Sequence, residues 1–135
     1  MKAFLLTLSF LFLLFNASGA FFGGLNLMTH PDGSSIALPY EYIKTTAFKD
    51  YFIPGLILLL ANGVFDLLVC AAIVARIKRY PLLIISAGVI LGIWLLVQII
   101  IIQILYYLQF ILALDALGMI LCGWLLRRMQ KKELA

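Results

Sequence analysis

Two carboxylates stand where hydrocarbon is expected. Asp66 lies in "ANGVFDLLVC" (Ala61 to Cys70) and Asp115 in "LALDALG" (Leu112 to Gly118), each inside a long apolar run. Carboxyl and amide groups in such surroundings can hold a proton, ligate a cation, or hydrogen-bond between helices. An ionisable group at mid-bilayer costs about 3 kcal/mol or more, so it needs a partner or its proton. No Lys, Arg or His lies in these runs to neutralise either one. Each is therefore protonated, or the two share a proton, or a bound cation replaces it. Asn62, Asp66 and Cys70 recur every four residues and share a helical face. Asp115, Gly118 and Cys122 form a second stripe, and Gln98 reaches a similar or slightly more external depth. A cluster of Asn62, Asp66, Gln98 and Asp115 is the expected polar site, with interhelical hydrogen bonding favoured over a proton or cation site.

Nothing else has the spacing of a reactive centre. His30 is the sole histidine and sits in a turn, with no Cys or second His nearby to complete a metal site. The chain has no CxxC and no HExxH. No catalytic residue, metal or cofactor is assigned, and no small-molecule substrate is identifiable. Cys70 and Cys122 lie in apolar runs and read as small hydrophobes rather than a disulfide framework.

The elements that must carry the carboxylates are membrane spans. Of 135 residues, 65% are hydrophobic and 12% charged, with a mean hydropathy of +1.15. Too few polar residues remain to cover a soluble surface. One all-α domain of four transmembrane helices is expected, with spans at about 3–22, 52–75, 82–105 and 109–126. Leu82 to Leu126 as one helix would be about 65 Å long, twice the hydrocarbon core, so it must fold back. Tyr106 to Gln109 is the expected turn. Discontinuous helices, which often mark transport sites, are not evident.

Lys2, Arg76, Lys78, Arg79, Arg127, Arg128, Lys131 and Lys132 fall on one side of this scheme, Lys44 and Lys49 on the other. That asymmetry predicts both termini in the cytoplasm. It also makes the net charge of +4 topological, not a sign of nucleic-acid binding. "RRMQKK" reads as a solvated anchor flank that can meet anionic headgroups. The first segment, "MKAFLLTLSFLFLLFNASGA", mimics a secretory signal with a small-residue end at Ala20; retention as a span is the expectation. "NAS" at Asn16 is also a glycosylation triplet, set very close to the membrane.

The loop expected at 23–51 is external. In "HPDGSS", Pro31 fixes one dihedral, Asp32 bonds backbone, and Gly33 takes positive φ, with His30 leading the turn. "YEYIKTTAFKDYF" has the spacing of a short interfacial helix. Gly19 and Gly23, and Gly88 and Gly92, form two GxxxG pairs that allow close backbone approach within the bundle or between protomers, as does Gly118 in the fourth span.

"GGLNLMTHPDGSSIALP", "FKDYFIPGLILLL" and "LQFILAL" resemble a widespread group of small, functionally uncharacterised bacterial four-span integral membrane proteins. The resemblance implies a bacterial inner membrane and a retained first helix, and carries over no catalytic residue. This chain departs from the group where the third-to-fourth turn lacks Gly and Pro, and where Asp115 replaces a commoner small residue. The expected function is a non-enzymatic structural or accessory subunit, packing against a larger membrane complex or self-associating in the bilayer. The alternative is an oligomeric proton- or cation-coupled small-solute transporter using Asp66 and Asp115.

Overall fold

A computed structural model describes residues 1–36, 49–102 and 107–134. It is an all-α bundle of four helices, each long and apolar enough to cross a membrane. Helix α1 spans Lys2–Thr29 and α2 spans Phe52–Val74. Helices α3 and α4 span Tyr80–Ile102 and Tyr107–Leu134.

The first helix outruns its expected end at residue 22. No breaker interrupts "FFGGLNLMT", so the helix stops only at His30, before Pro31. The inter-helix segment shortens accordingly. It opens on a turn in which the Gly33 amide donates to the His30 carbonyl at 2.9 Å and Gly33 adopts φ 81°, then a 3₁₀ turn at Ser34–Ile36. The Tyr51 amide donates to the Pro31 carbonyl at 2.8 Å, tying the segment's two ends together. The expected interfacial helix falls largely on residues 37–48, outside the described residues.

Pro54 is tolerated in the first turn of α2, where its missing amide costs nothing. At the other end, Arg76 takes φ 57° and the Ile77 amide donates back to the Ala72 carbonyl at 3.1 Å. This is the glycine-type helix stop, built here on a side-chain-bearing residue. Tyr107 to Gln109 are already helical in α4, so the turn expected at 106–109 does not form over 107–109; residue 106 lies outside the described residues. Helix α4 also continues past the expected end at 126, carrying its basic tail as helix to Leu134.

Glycines set the contacts. A Cβ on Gly55 would sit 2.7 Å from the Leu27 Cβ and 3.0 Å from the Gly24 carbonyl, so α1 and α2 meet backbone to backbone. The α3–α4 pair packs as closely. There, a Cβ on Gly88 would meet the Ala116 carbonyl at 2.8 Å, and one on Gly123 the Pro81 carbonyl at 2.9 Å. Gly118 receives the Phe12 ring of α1. Of the two GxxxG pairs, a Cβ added to Gly23 would lie 3.2 Å from Leu58 of α2 and Gly88 packs inside, whereas among the described residues nothing lies within 4 Å of a Cβ added to Gly19 or Gly92. Around these contacts Leu13, Val69, Ile84, Leu91, Met119 and Leu126 are almost wholly enclosed.

Most of the basic residues gather at one end. Lys2 pairs with Glu133 at 3.4 Å, and the Gln130 amide donates to the Lys78 carbonyl at 2.7 Å. The N-terminus, the α2–α3 connection and the C-terminal helix thus share that end. Arg128 lies over the exposed Trp124 ring, 4.9 Å from its centroid.

Candidate functional site: a buried polar cluster

Halfway along α1, Asn16 turns into the bundle. Its Nδ2 donates to Asp66 Oδ2 at 2.6 Å and to Asn62 Oδ1 at 3.3 Å, joining α1 to α2. All three side chains are enclosed: Asn16 is 3% exposed, Asn62 and Asp66 0%. Asn62 and Asp66 face α1 together because they lie one turn apart on α2.

The helix between them is not uniform. Leu59–Val64, "LLANGV", forms a π turn, and the Phe65 amide donates to the Leu60 carbonyl. A Cβ added to Gly63 within it would lie 3.2 Å from the Phe21 ring and 3.6 Å from the Ala20 Cβ. A Cβ there would push into that ring. The second span is thus continuous but locally widened where its polar residues sit, a feature frequent at functional sites and not anticipated from the sequence.

Asp115 approaches from α4 and is 5% exposed. The Phe12–Gly118 contact fixes the register of α1 on antiparallel α4. Asn16 is four residues beyond Phe12 and Asp115 three before Gly118, so the two stand at nearly one depth. The cluster joined by hydrogen bonds at mid-span is Asn16, Asn62 and Asp66, with Asp115 at its level on α4.

Gln98 does not belong to it. Gly88 lies opposite Ala116 to Ile120, and Gly123 opposite Pro81 to Ile85. That register sets Gln98 level with Leu108 and Gln109, roughly 10 Å outside the Asp115 level. Its Oε1 is buried without a hydrogen-bond partner. Asn16, conversely, was legible only as part of a glycosylation triplet. Its helical phase with the buried Ser9, Leu13, Ala17 and Ala20 is the signal that marks it as inward-facing.

Three atoms at this level remain unmatched: Asn62 Nδ2, Asp66 Oδ1 and Asp115 Oδ2 are buried with no hydrogen-bond partner among the described residues. One is a donor and two are carboxyl oxygens. Cys70 lies one turn beyond Asp66 and is buried, as is Cys122, whose thiol is reached by the Ser9 hydroxyl. Ser9 itself donates to the Leu5 carbonyl at 2.7 Å. Both thiols are free.

The expected loop turn forms as a separate structure. The Ser34 amide donates to Asp32 Oδ1 at 3.0 Å, and this bond, with the Ser34 hydroxyl, holds the Asp32 carboxyl below the usual carboxylate range. His30 Nδ1 faces the Thr29 hydroxyl at 3.1 Å, and Pro31 supplies the carbonyl that receives Tyr51. These residues are far along α1 from the buried cluster.

Fold and site together define a small multi-pass membrane protein with its polar residues turned into the bundle. No family model, curated protein or solved structure matches the chain.

Proposed function

We propose that the chain is a non-enzymatic structural or accessory subunit of the bacterial inner membrane, with both termini cytoplasmic, that packs against a larger membrane complex. The observation that carries this reading is the division of its small residues. Gly24, Gly55, Gly88, Gly118 and Gly123 are consumed by internal contacts, while Gly19 on α1 and Gly92 on α3 are open outward. Around them stand exposed Phe15, Phe22, Val89, Ile93 and Leu96. Small residues amid large apolar ones let another membrane helix approach. The gathering of Arg76, Lys78, Arg79, Arg127, Arg128, Lys131 and Lys132 at the end shared by both termini supports the orientation. The resemblance of the loop motifs to small bacterial four-span proteins supports the compartment.

The test is purification from native membranes in mild detergent. The accessory reading expects co-purification with a defined larger membrane complex, weakened by Gly92→Leu. A chain that runs alone as a monodisperse homo-oligomer overturns it.

A second reading, an oligomeric proton- or cation-coupled transporter, is favoured by one observation only: two buried mid-span carboxyls, Asp66 and Asp115. It expects a pH- or cation-dependent flux in proteoliposomes that Asp66→Asn abolishes while the fold persists. The accessory reading expects no flux.

A further inference from the structure

We propose that Asp66 and Asp115 are proton-binding groups at mid-membrane, each carboxyl holding a proton inside the bundle. The inference is independent of whether the chain serves as a subunit or a transporter.

The buried atoms define the ligand. Asp66 Oδ2 is already occupied, accepting from Asn16 at 2.6 Å, and Asn62 Oδ1 accepts from the same amide. What is left over is the Asn62 Nδ2 donor and the outer oxygens Asp66 Oδ1 and Asp115 Oδ2. Each residue is at least nine-tenths buried. An amide donor without an acceptor, and carboxyl oxygens without donors, each carry a desolvation penalty until matched. A proton on each carboxyl removes the larger part of that penalty, since it takes away the charge that burial disfavours. A bare metal cation does not suit these atoms, because it needs several oxygens and here meets an N–H donor.

Charge sets the proton. The titratable groups facing Asp66 are Cys70 on its own helix and Asp115 on α4. Helix α1 presents Asn16 to the site and carries no titratable residue beyond Lys2 at its far end. Helix α3 carries none from Pro81 to Ile102. With no basic group in the bundle interior, protons are the only neutralising charge the chain's own chemistry accommodates, and an ionised carboxyl there costs about 3 kcal/mol or more. Asn62, which accepts from Asn16, lies within the π turn Leu59–Val64.

The experiment is infrared spectroscopy of the full chain in lipid vesicles, with the aspartates carrying ¹³C in their side-chain carboxyls. Asp32 and Asp50 lie in the segment between α1 and α2, and their Asn variants identify any share they have in the isotope-shifted band of a protonated carboxyl, so what remains reports on the buried pair. The expected result is such a band at pH 7, shifted in D₂O and indifferent to added NaCl or LiCl. Asp66→Asn and Asp115→Asn each reduce its area by about two-fold, one carboxyl of two being lost. Asn16→Leu keeps both carboxyls and shifts the band by removing the donor to Asp66 Oδ2. The wild-type spectrum alone decides the main point if a variant misfolds. Absence of a protonated-carboxyl band at pH 7 overturns the proposal, as does its loss on adding Na⁺ or Li⁺ at fixed pH, which would identify a cation site instead.

Discussion

Gly88 and Gly92 lie one turn apart on α3, share one motif, and should respond to the same substitution with opposite signs. A Cβ on Gly88 would lie 2.8 Å from the Ala116 carbonyl, 2.7 Å from Ile120 Cγ1 and 3.2 Å from the Ile120 amide. Two of these neighbours are backbone, so α3 and α4 must separate by a few tenths of an ångström or more along their closest seam. Overpacking of this kind costs about 1–3 kcal/mol. Replacing a mid-helix glycine with alanine returns about 0.8–1.0 kcal/mol of helix propensity. Gly88→Ala is thus expected to be destabilising by about 0–2 kcal/mol net. Gly92 has nothing within 4 Å of the added atom, so Gly92→Ala retains the gain alone. The two variants should differ by roughly 1–3 kcal/mol. Reversible unfolding in mixed mild-detergent and SDS micelles, followed by circular dichroism, measures that difference on the isolated chain. Equal destabilisation by both would refute the reasoning, because it would mean that Gly92 also faces a close backbone in the folded state.

Other outcomes follow from the same structure. Asn16→Ala strips the donor from Asp66 Oδ2 and Asn62 Oδ1 and should cost about 1–3 kcal/mol in the same unfolding assay, at the upper end if both acceptors stay buried. Arg76→Gly removes a side chain from the left-handed region at the end of α2 and should stabilise the bundle by about 1 kcal/mol. Lys2→Ala should move stability by less than about 0.5 kcal/mol, since its pairing with Glu133 is solvent-exposed. The Asp32 carboxyl is held below its usual range, so its turn contributes fully above the ordinary carboxylate pKa and is lost as pH falls through the lower folded value. The Ser34 amide resonance, followed by NMR from pH 6 downward, should shift only below about pH 4.

Long apolar runs and the placement of basic residues made the four spans readable, because hydrocarbon leaves a helix no alternative for its backbone. The ends were less readable. Helix α1 runs on to Thr29 since "GG" at 23–24 is a packing surface for Gly55, not a breaker, and that pairing exists only once α2 is alongside. Asp66 and Asn62 were visible as polar letters among apolar ones. Asn16 was equally visible, yet its neighbours Asn62 and Asp66 are 46 and 50 residues away, and only the bundle states which face of α1 meets them. Gln98 was misplaced in depth for the converse reason. Its level depends on the α3–α4 register, which Gly88 and Gly123 fix by contact rather than by spacing. The π turn at Leu59–Val64 left only the weak trace of an Asn-Gly pair inside a span.

The bond from Asn16 to Asp66 also bears on the order in which the chain is made. Synthesis delivers α1 to the bilayer first, with an amide that has no complement until 46 further residues have emerged. When α2 follows, its carboxyl meets a donor already at its depth, and the close fit of Gly24 on Gly55 sets the two helices in register. Helix α1 thus presents to the second span both a hydrogen-bond donor and a backbone surface that fits it. A signal-like segment here carries the complement to the one carboxyl that α2 must bring into the membrane.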